Sequence, residues 1–283
     1  MPTILETIAA DTAQRVAQAK LETPLEVLRE KALALPFPLP FEAALAAPGL
    51  AVIAEVKKAS PSKGIIAEDF PYLEIAREYQ AAGAAALSVL TEPTFFKGSP
   101  RYLQEIAQAV TIPVLRKDFI IDPHQIYEAK VLGAAAILLI CALLDDKQLA
   151  EFLALAQSLG LCALVETHDA QEVGRAIACG ARIIGVNNRD LATFAVDLNT
   201  SKRLRALVPS DLLFVAESGI ASPQDAAQLS TFGVDAVLIG EALMKAQDKR
   251  GFLAGAQAAW EAAAEPEKPS RTCVMPKDEM SGL

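Results

Sequence analysis

The sequence predicts an α/β protein, a (β/α)8 TIM barrel with an N-terminal helical extension. Three observations point there. Eight short aliphatic runs follow one another between residues 51 and 242. Helix-start signals fill the segments between them. Polar residues gather at the C-terminal ends of the runs, where the loops of such a barrel build one mouth.

The first fifty residues are helical in character. Thr3 with Glu6 makes a capping-box pattern, and Thr23-Pro24-Leu25-Glu26 a second, with Pro at the first helical position. "LPFPLP" at 35–40 stops helix and reads as a linker. The runs are "AVIAEV" (51–56), "AALSVL" (85–90), "IPVLRKDF" (112–119), "AAILLI" (135–140), "CALVET" (162–167), "RIIGVNN" (182–188), "LLFVAES" (212–218) and "AVLIGEA" (236–242). Their spacing is that of βα units, and unbroken aliphatic runs suit strands buried on both faces. Asp122-Pro123, Asp145 with Gln148, Asp169 with Glu172, and Ser222-Pro223 with Asp225 read as N-caps. "GAA", "GAAA", "CGA" and "GVDA" recur before strands, where Gly suits a helix C-cap. A doubly wound sheet is the runner-up, disfavoured because no nucleotide fingerprint accompanies the eight similar units. The expected organisation is a helical extension over 1–48 packed on the barrel, a barrel over 49–262, and a flexible tail over 263–283.

Composition narrows the function. The 283 residues are 52% hydrophobic and carry a net charge of −9, which argues against nonspecific nucleic-acid binding. The four cysteines, Cys141, Cys162, Cys179 and Cys273, share no metal or redox spacing, and the first three read as small core residues in a reducing compartment. The two histidines, His124 and His168, are too far apart for a zinc motif, so no metal is expected. The N-terminus lacks the apolar run of a signal peptide, and "AAAILLICALL" (134–144) is too short to span a bilayer. A cytoplasmic protein with no membrane partner is expected.

Glu55 and Lys57 end the first run, Thr91 and Glu92 follow the second, and Lys117 and Asp118 lie in the third. Glu166 stands in the fifth, Asn187 and Asn188 in the sixth, Glu217 and Ser218 in the seventh. Side chains alternate along a strand, so Glu55 shares a face with Lys57, Lys117 with Phe119, and Asn187 with Arg189. One charged strand end is ordinarily a solvated rim residue; six of eight predict a catalytic mouth. A lysine near another cation loses basicity and a nearby carboxylate restores it, a balance suited to proton donation near neutral pH. Gly219 before Ser222, and Gly240 before the next helix, put amides in the seventh and eighth loops, where barrels of this kind hold phosphate.

"IAEVKKASPSKG", "SVLTEPTFFKGS", "PVLRKDFIIDPHQIYEA", "LVETHDAQE", "IGVNNRDLATFAVDL", "VAESGI" and "VLIGEALM" resemble, in this order, the motifs of the indole-3-glycerol phosphate synthase family. The likeness runs from about residue 45 to 255 and includes the helical extension. It implies ring closure, decarboxylation and dehydration of 1-(2-carboxyphenylamino)-1-deoxyribulose 5-phosphate, a step of tryptophan biosynthesis. Lys117 would be the general acid and Glu166 would manage proton transfers, with Lys57 or Lys117 helping the hydroxyl leave. Glu55 and Asn187 would hold the substrate and orient the lysines. Lys57 could also pair with the substrate carboxylate. Arg189, Ser218, Gly219 and Gly240 match phosphate positions, and Phe119 would pack the anthranilate ring. Ser60, Glu217 and Glu241 complete the binding set, and Ser218 also joins the catalytic one. Glu241 stands where many relatives carry Ser, so its backbone N–H is expected to bind while its side chain turns away. No cofactor is implied, the expected partner is a phosphorylated small molecule, and the expected state is a monomer or weak homodimer. The alternatives are a phosphoribosylanthranilate isomerase-like barrel, a Schiff-base aldolase using Lys117 or Lys57, and a non-catalytic phosphometabolite-binding barrel.

Overall fold

The computed structural model describes residues 3–190 and 193–263. Eight parallel strands close into one barrel: β1 (Ala51–Val56), β2 (Ala86–Leu90), β3 (Val114–Lys117), β4 (Ala136–Ile140), β5 (Cys162–Thr167), β6 (Ile183–Asn187), β7 (Leu213–Glu217) and β8 (Ala236–Ile239). Each strand pairs with its neighbours in the chain, and β8 returns to β1, with Ala51 opposite Ala236. The aliphatic runs mark all eight strands but overshoot the third and eighth. Pro113 has no N–H for a ladder, and the Asp118 carboxylate accepts from the Phe119 N–H at 2.9 Å, so β3 keeps only four residues. At Gly240 the backbone leaves the extended region, and a short helix, Glu241–Lys245, begins.

The period of two sorts the strand residues into two cores. Ile53, Ala86, Leu115, Leu138, Leu164, Ile183, Val215 and Leu238 belong to one buried cluster, the barrel interior. Val52, Val89, Val114, Ile137, Val165, Ile184 and Val237 belong to a second, packed outward against the surrounding helices. Phe41 and Leu45, from the short helix Phe41–Leu45, are fully buried with the interior set and plug one end of the barrel.

Two longer helices precede that plug, α1 (Ile4–Glu22) and α2 (Leu25–Leu33). Thr3 and Glu6 form the expected reciprocal capping box of α1. The second expected box does not form: Thr23 closes α1, Pro24 occupies the N-cap of α2, and no side chain caps it. A proline at the cap presets the backbone and its carbonyl accepts from the Val27 and Leu28 amides, but it has no side-chain acceptor for the orphan amides. The caps at Asp122, Asp145, Asp169 and Ser222 all accept backbone N–H bonds. Gly83, Gly133, Gly180 and Gly233 have left-handed φ where helices end before strands, which only glycine adopts at little cost.

α1 is tied across the C-terminal rim of the strands. Arg15 Nη2 lies 3.7 Å from Glu92 and 3.9 Å from Asp118, and Lys20 Nζ is 2.6 Å from Asp122. Cys141 is buried and Cys162 and Cys179 are half-buried, all as free thiols. Cys273 and the expected tail, apart from Ala263 at the end of the last helix, lie outside the described residues. Among the described residues, no helix is long and apolar enough to cross a membrane.

Candidate active site

The inward register of the barrel continues past its apolar layers into a layer of charge. Glu55, Lys117, Glu166, Asn187 and Glu217 stand at the C-terminal ends of their strands, in phase with Ile53, Leu115, Leu164, Ile183 and Val215. Asn187 pairs with Glu217 across the ladder, while Glu166 pairs with Gly185, two residues before Asn187. With Lys57 and Phe119 they line one cavity of about 780 Å³. Ser60, Arg189, Ser218, Gly219, Gly240 and Glu241 line the same cavity, so every site residue singled out in the sequence faces it. Its roof is α1, through Ile4, Leu5 and Ile8. The sequence reading did not assign these residues to the site, although Ile4 and Ile8 lie one helical turn apart.

Lys117 is the centre of the charge layer. Its Nζ lies 3.3 Å from Glu166 Oε2 and 3.2 Å from Glu217 Oε2, with both carboxylates buried and the lysine half-buried. Burial works against the ammonium, but Glu217, Glu166 and Glu55 outweigh it and hold the lysine well above its ordinary pKa. In the expected balance between a neighbouring cation and neighbouring carboxylates, the carboxylates prevail, and the lysine stays charged. The two carboxylates are not equivalent. Glu166 Oε1 also accepts from Asn187 Nδ2 at 3.1 Å and lies 3.3 Å from His168 Nε2. Burial raises Glu166, yet Lys117 and then His168 overcome it and hold the group well below the ordinary carboxylate range. Glu217 has only Lys117, and its Oε1 has no partner among the described residues. Burial and the repulsion from Glu166 and Glu55 push it up to about 7. Two carboxylates sharing one lysine are thus pushed in opposite directions, Glu166 down and Glu217 up.

Glycines make room for this cluster. A methyl group on Gly185 would come 2.3 Å from Glu217 Oε1. One on Gly240 would come 2.3 Å from Glu55 Oε1 and 2.9 Å from Lys57 Nζ. Glu55 and Lys57 form their own pair at 2.5 Å.

The loops after β7 and β8 line the same cavity through Ser218, Gly219, Gly240 and Glu241. Ser218 has φ +65 and Gly219 φ +89. A left-handed serine costs about 1–2 kcal/mol and persists only where its surroundings fix it. Asn188, outward-facing and buried, supplies the clamp: its Nδ2 donates to the carbonyls of Glu217 and Ser218 at 3.1 and 3.2 Å. Its Oδ1 accepts from the Ser201 amide and hydroxyl. Arg189 Nη1 donates to the Phe194 carbonyl at 3.2 Å. Glu241 meets Lys245 at 2.6 Å and Lys63 at 3.7 Å. Its charge is matched by two lysines that the sequence reading did not include.

Some of the polar strand ends face elsewhere. Thr91 Oγ1 donates to Asp118 Oδ2 at 2.5 Å, and both bind Arg116 on the outside of the barrel. Glu92 accepts from the amides of Thr94, Phe95 and Phe96 and shapes its loop. They share the height of the mouth, but Thr91 and Asp118 follow the outward phase of Val89 and Arg116, and Glu92 lies beyond the end of β2, bonded to its own loop.

Among solved structures, the fold resembles a 3-hexulose-6-phosphate synthase with a TM-score of 0.59 at 16% identity, covering 74% of this chain and 99% of that one. It also resembles a thiamine phosphate pyrophosphorylase from Pyrococcus furiosus, with a TM-score of 0.57 at 17% identity, covering 76% and 96%. Identities this low speak to the barrel alone. Sequence relatives are much nearer. An indole-3-glycerol phosphate synthase of Ruminiclostridium cellulolyticum is 54% identical over 89% of this chain and 97% of its own. One of Endomicrobium trichonymphae is 55% identical over 86% and 95%. The family model for indole-3-glycerol phosphate synthase matches residues 5–255, a span that takes in the roof helix, the charge layer and the left-handed turn. On that match and those identities, the chain belongs to the indole-3-glycerol phosphate synthase family.

Proposed function

We propose that this protein closes the indole ring of indole-3-glycerol phosphate, releasing carbon dioxide and water from 1-(2-carboxyphenylamino)-1-deoxyribulose 5-phosphate. The observation that carries the reading is Lys117 held between the buried Glu166 and Glu217, with the Glu55–Lys57 pair lining the same cavity. The ring carbon bearing the carboxylate attacks the C2′ carbonyl, and the oxygen there gains negative charge. That alkoxide is more basic than an ammonium group, so a charged Lys117 can protonate it despite its raised pKa. Attack leaves positive charge on the anilino nitrogen, an electron sink for the departing carboxylate. Glu166, held ionised, takes up a proton in the dehydration, and an ammonium from Lys57 or Lys117 lets the hydroxyl leave as water. Glu217, titrating near 7 at 3.2 Å from Lys117, is suited to return a proton to the lysine.

Arg189, the amides of the Ser218–Gly219 turn and those at Gly240 would hold the phosphate, with Lys63 and Lys245 offsetting Glu241. Phe119, 6.0 Å from Phe96 between ring centroids, would pack the anthranilate ring. Residues 1–48 would serve as a cover for the 49–262 barrel, consistent with Ile4, Leu5 and Ile8 in the roof. One chain supplies all these groups, which favours a monomer or weak homodimer in the cytoplasm, testable by sedimentation. Incubation with the anthranilate-derived substrate should give indole fluorescence with stoichiometric carbon dioxide. An isomerase would release none, and borohydride should trap no lysine adduct. Product without carbon dioxide would end this reading.

A further inference from the structure

His168 stands two residues beyond Glu166, at the end of β5, and the proposed chemistry does not use it. Its Nε2 lies 3.3 Å from Glu166 Oε1. That nitrogen is buried, and no group among the described residues accepts from it in hydrogen-bond alignment, so its contact with Glu166 is one of charge. Its Nδ1 lies 3.1 Å from Glu172 Oε2 in the helix Ala170–Ala178. The same oxygen accepts from the His168 amide at 2.8 Å, and the Glu172 amide donates to Asp169, the N-cap. Glu172 is therefore locked where it meets the ring. A neutral imidazole has one N–H and one lone pair, so between two carboxylates one lone pair would face negative charge. Only the doubly protonated ring suits both sides.

We propose that His168 is a standing imidazolium, a positioning residue that orients Glu166 and keeps it ionised for proton transfer. The charged groups facing the ring are Glu166 on its own strand and Glu172 on the adjoining helix. Lys117 of β3 sits on the far oxygen of Glu166, and Asn187 of β6 brings a neutral amide. Burial opposes the charge on the ring, but the two carboxylates outweigh it and lift His168 to about 10. Glu166 is thus gripped from both sides: a lysine on Oε2, and an amide with an imidazolium on Oε1. The inference rests on the reading of Glu166 as the proton acceptor.

The chain has two histidines, so nitrogen-15 histidine spectra of the whole protein separate His168 from His124. Both ring nitrogens of His168 should remain protonated through pH 8; a neutral ring at pH 7 overturns the proposal. In H168Q, loss of the neighbouring positive charge raises the Glu166 pKa. The acid limb of kcat should therefore move up by about one pH unit, since one unit corresponds to a modest lost interaction. The plateau kcat should fall about tenfold, with KM within about threefold of wild type. An unmoved acid limb overturns the proposal. E172Q is the second variant, used should H168Q fold poorly. It keeps the ring but removes one partner, so activity should gain an alkaline loss above about pH 8 as the ring deprotonates. No such loss, with His168 still doubly protonated, would show that Glu172 does not hold the charge. E166Q separates the two layers: wild-type kcat there means that the acceptor reading has failed. An inactive E166Q beside an unshifted H168Q sinks only the role of His168.

Discussion

Arg116 and Lys117 are adjacent residues of one strand, both charged, the first buried and the second half-buried, and they serve opposite purposes. Arg116 points outward. Its Nε donates to Thr91, its Nη1 to the Gln125 carbonyl and Glu128, and its Nη2 to Asp118, all between 2.7 and 3.1 Å. Each of its nitrogens has an acceptor, and Asp118 and Thr91 are also bonded to each other. Lys117 points inward to a cluster whose accounts do not close: Glu217 keeps a bare oxygen, and two carboxylates share one ammonium. A saturated network fixes structure, because removing a member strands a buried charge. An unsaturated one facing a cavity leaves capacity for a substrate. Charge is alike in both; the difference lies in hydrogen-bond completeness and in the side that Lys117 keeps open to the cavity.

The comparison breaks most sharply on the two neighbours themselves. Lys117→Met should lower kcat by about a thousandfold, the scale of losing a general acid. Stability near pH 7 should change little, because Glu217 can take up a proton in place of its lost partner. Fluorescence assay and urea unfolding of the same preparation test both halves. Arg116→Met should do the reverse. Stranding Asp118 and Glu128 should cost about 3–5 kcal/mol of unfolding free energy. The kcat of the protein that remains folded should stay within about threefold of wild type. Equal losses of rate in the two variants would mean that the outer network reaches into the chemistry.

This pair also shows how much of the molecule is legible in the sequence. Aliphatic runs, caps and glycine turns mark every strand and most helix starts, because each is a local physical requirement. The inward site residues were legible for the same reason: period-two phase carries Glu55, Lys57, Lys117, Glu166, Asn187 and Glu217 to one face. The facing of Thr91, Glu92 and Asp118 was harder to read, since they follow or end their strands. Asn188 and His168 were hidden for another reason. Their roles come from partners on other elements, Ser201 and Ser218 in one case and Glu172 in the other. Long-range partners such as Lys63 and Lys245 for Glu241 leave no mark in local sequence either.

A milder test leaves every charge in place and alters only space. In Gly185→Ala the new methyl would sit 2.3 Å from Glu217 Oε1 and 3.1 Å from Leu164 Cδ1. Glu217 must shift away from Lys117, so kcat should fall about tenfold, with about 1–3 kcal/mol of overpacking. Gly174, inside the helix Ala170–Ala178, has nothing within 4 Å of an added methyl. Gly174→Ala should leave kcat unchanged and add about 0.5–1 kcal/mol of stability from helix propensity. If the two substitutions gave the same kinetics, Gly185 would not be holding space for the carboxylate.

The smallest effect is a slope. Glu217 titrates near 7 in the folded protein against an ordinary value of 4.5. Between those values the native state keeps a proton that the unfolded chain has lost. Its stabilisation is therefore complete below about pH 4.5 and disappears as pH rises through about 7. Glu166 runs the other way: held low, it contributes above the ordinary carboxylate range and loses that contribution only as pH falls, in a window more acidic than that of Glu217. Between pH 5 and 8 the Glu217 part of that decline should be about 2 kcal/mol at most once its coupling to Lys117 is allowed for, and His168, lifted from 6.5 to about 10, adds a separate decline that begins above about pH 6.5. Glu217→Gln cannot ionise and should lose the Glu217 part of the decline while keeping that of His168, gaining on wild type as pH rises, although its kcat falls. Urea unfolding of both proteins at pH 5, 6, 7 and 8 reads the slope directly. Parallel curves would place the shared proton elsewhere in the cluster and undo the division of labour between Glu166 and Glu217. The Arg116 network would then differ from that of Lys117 only in the side of the barrel it faces.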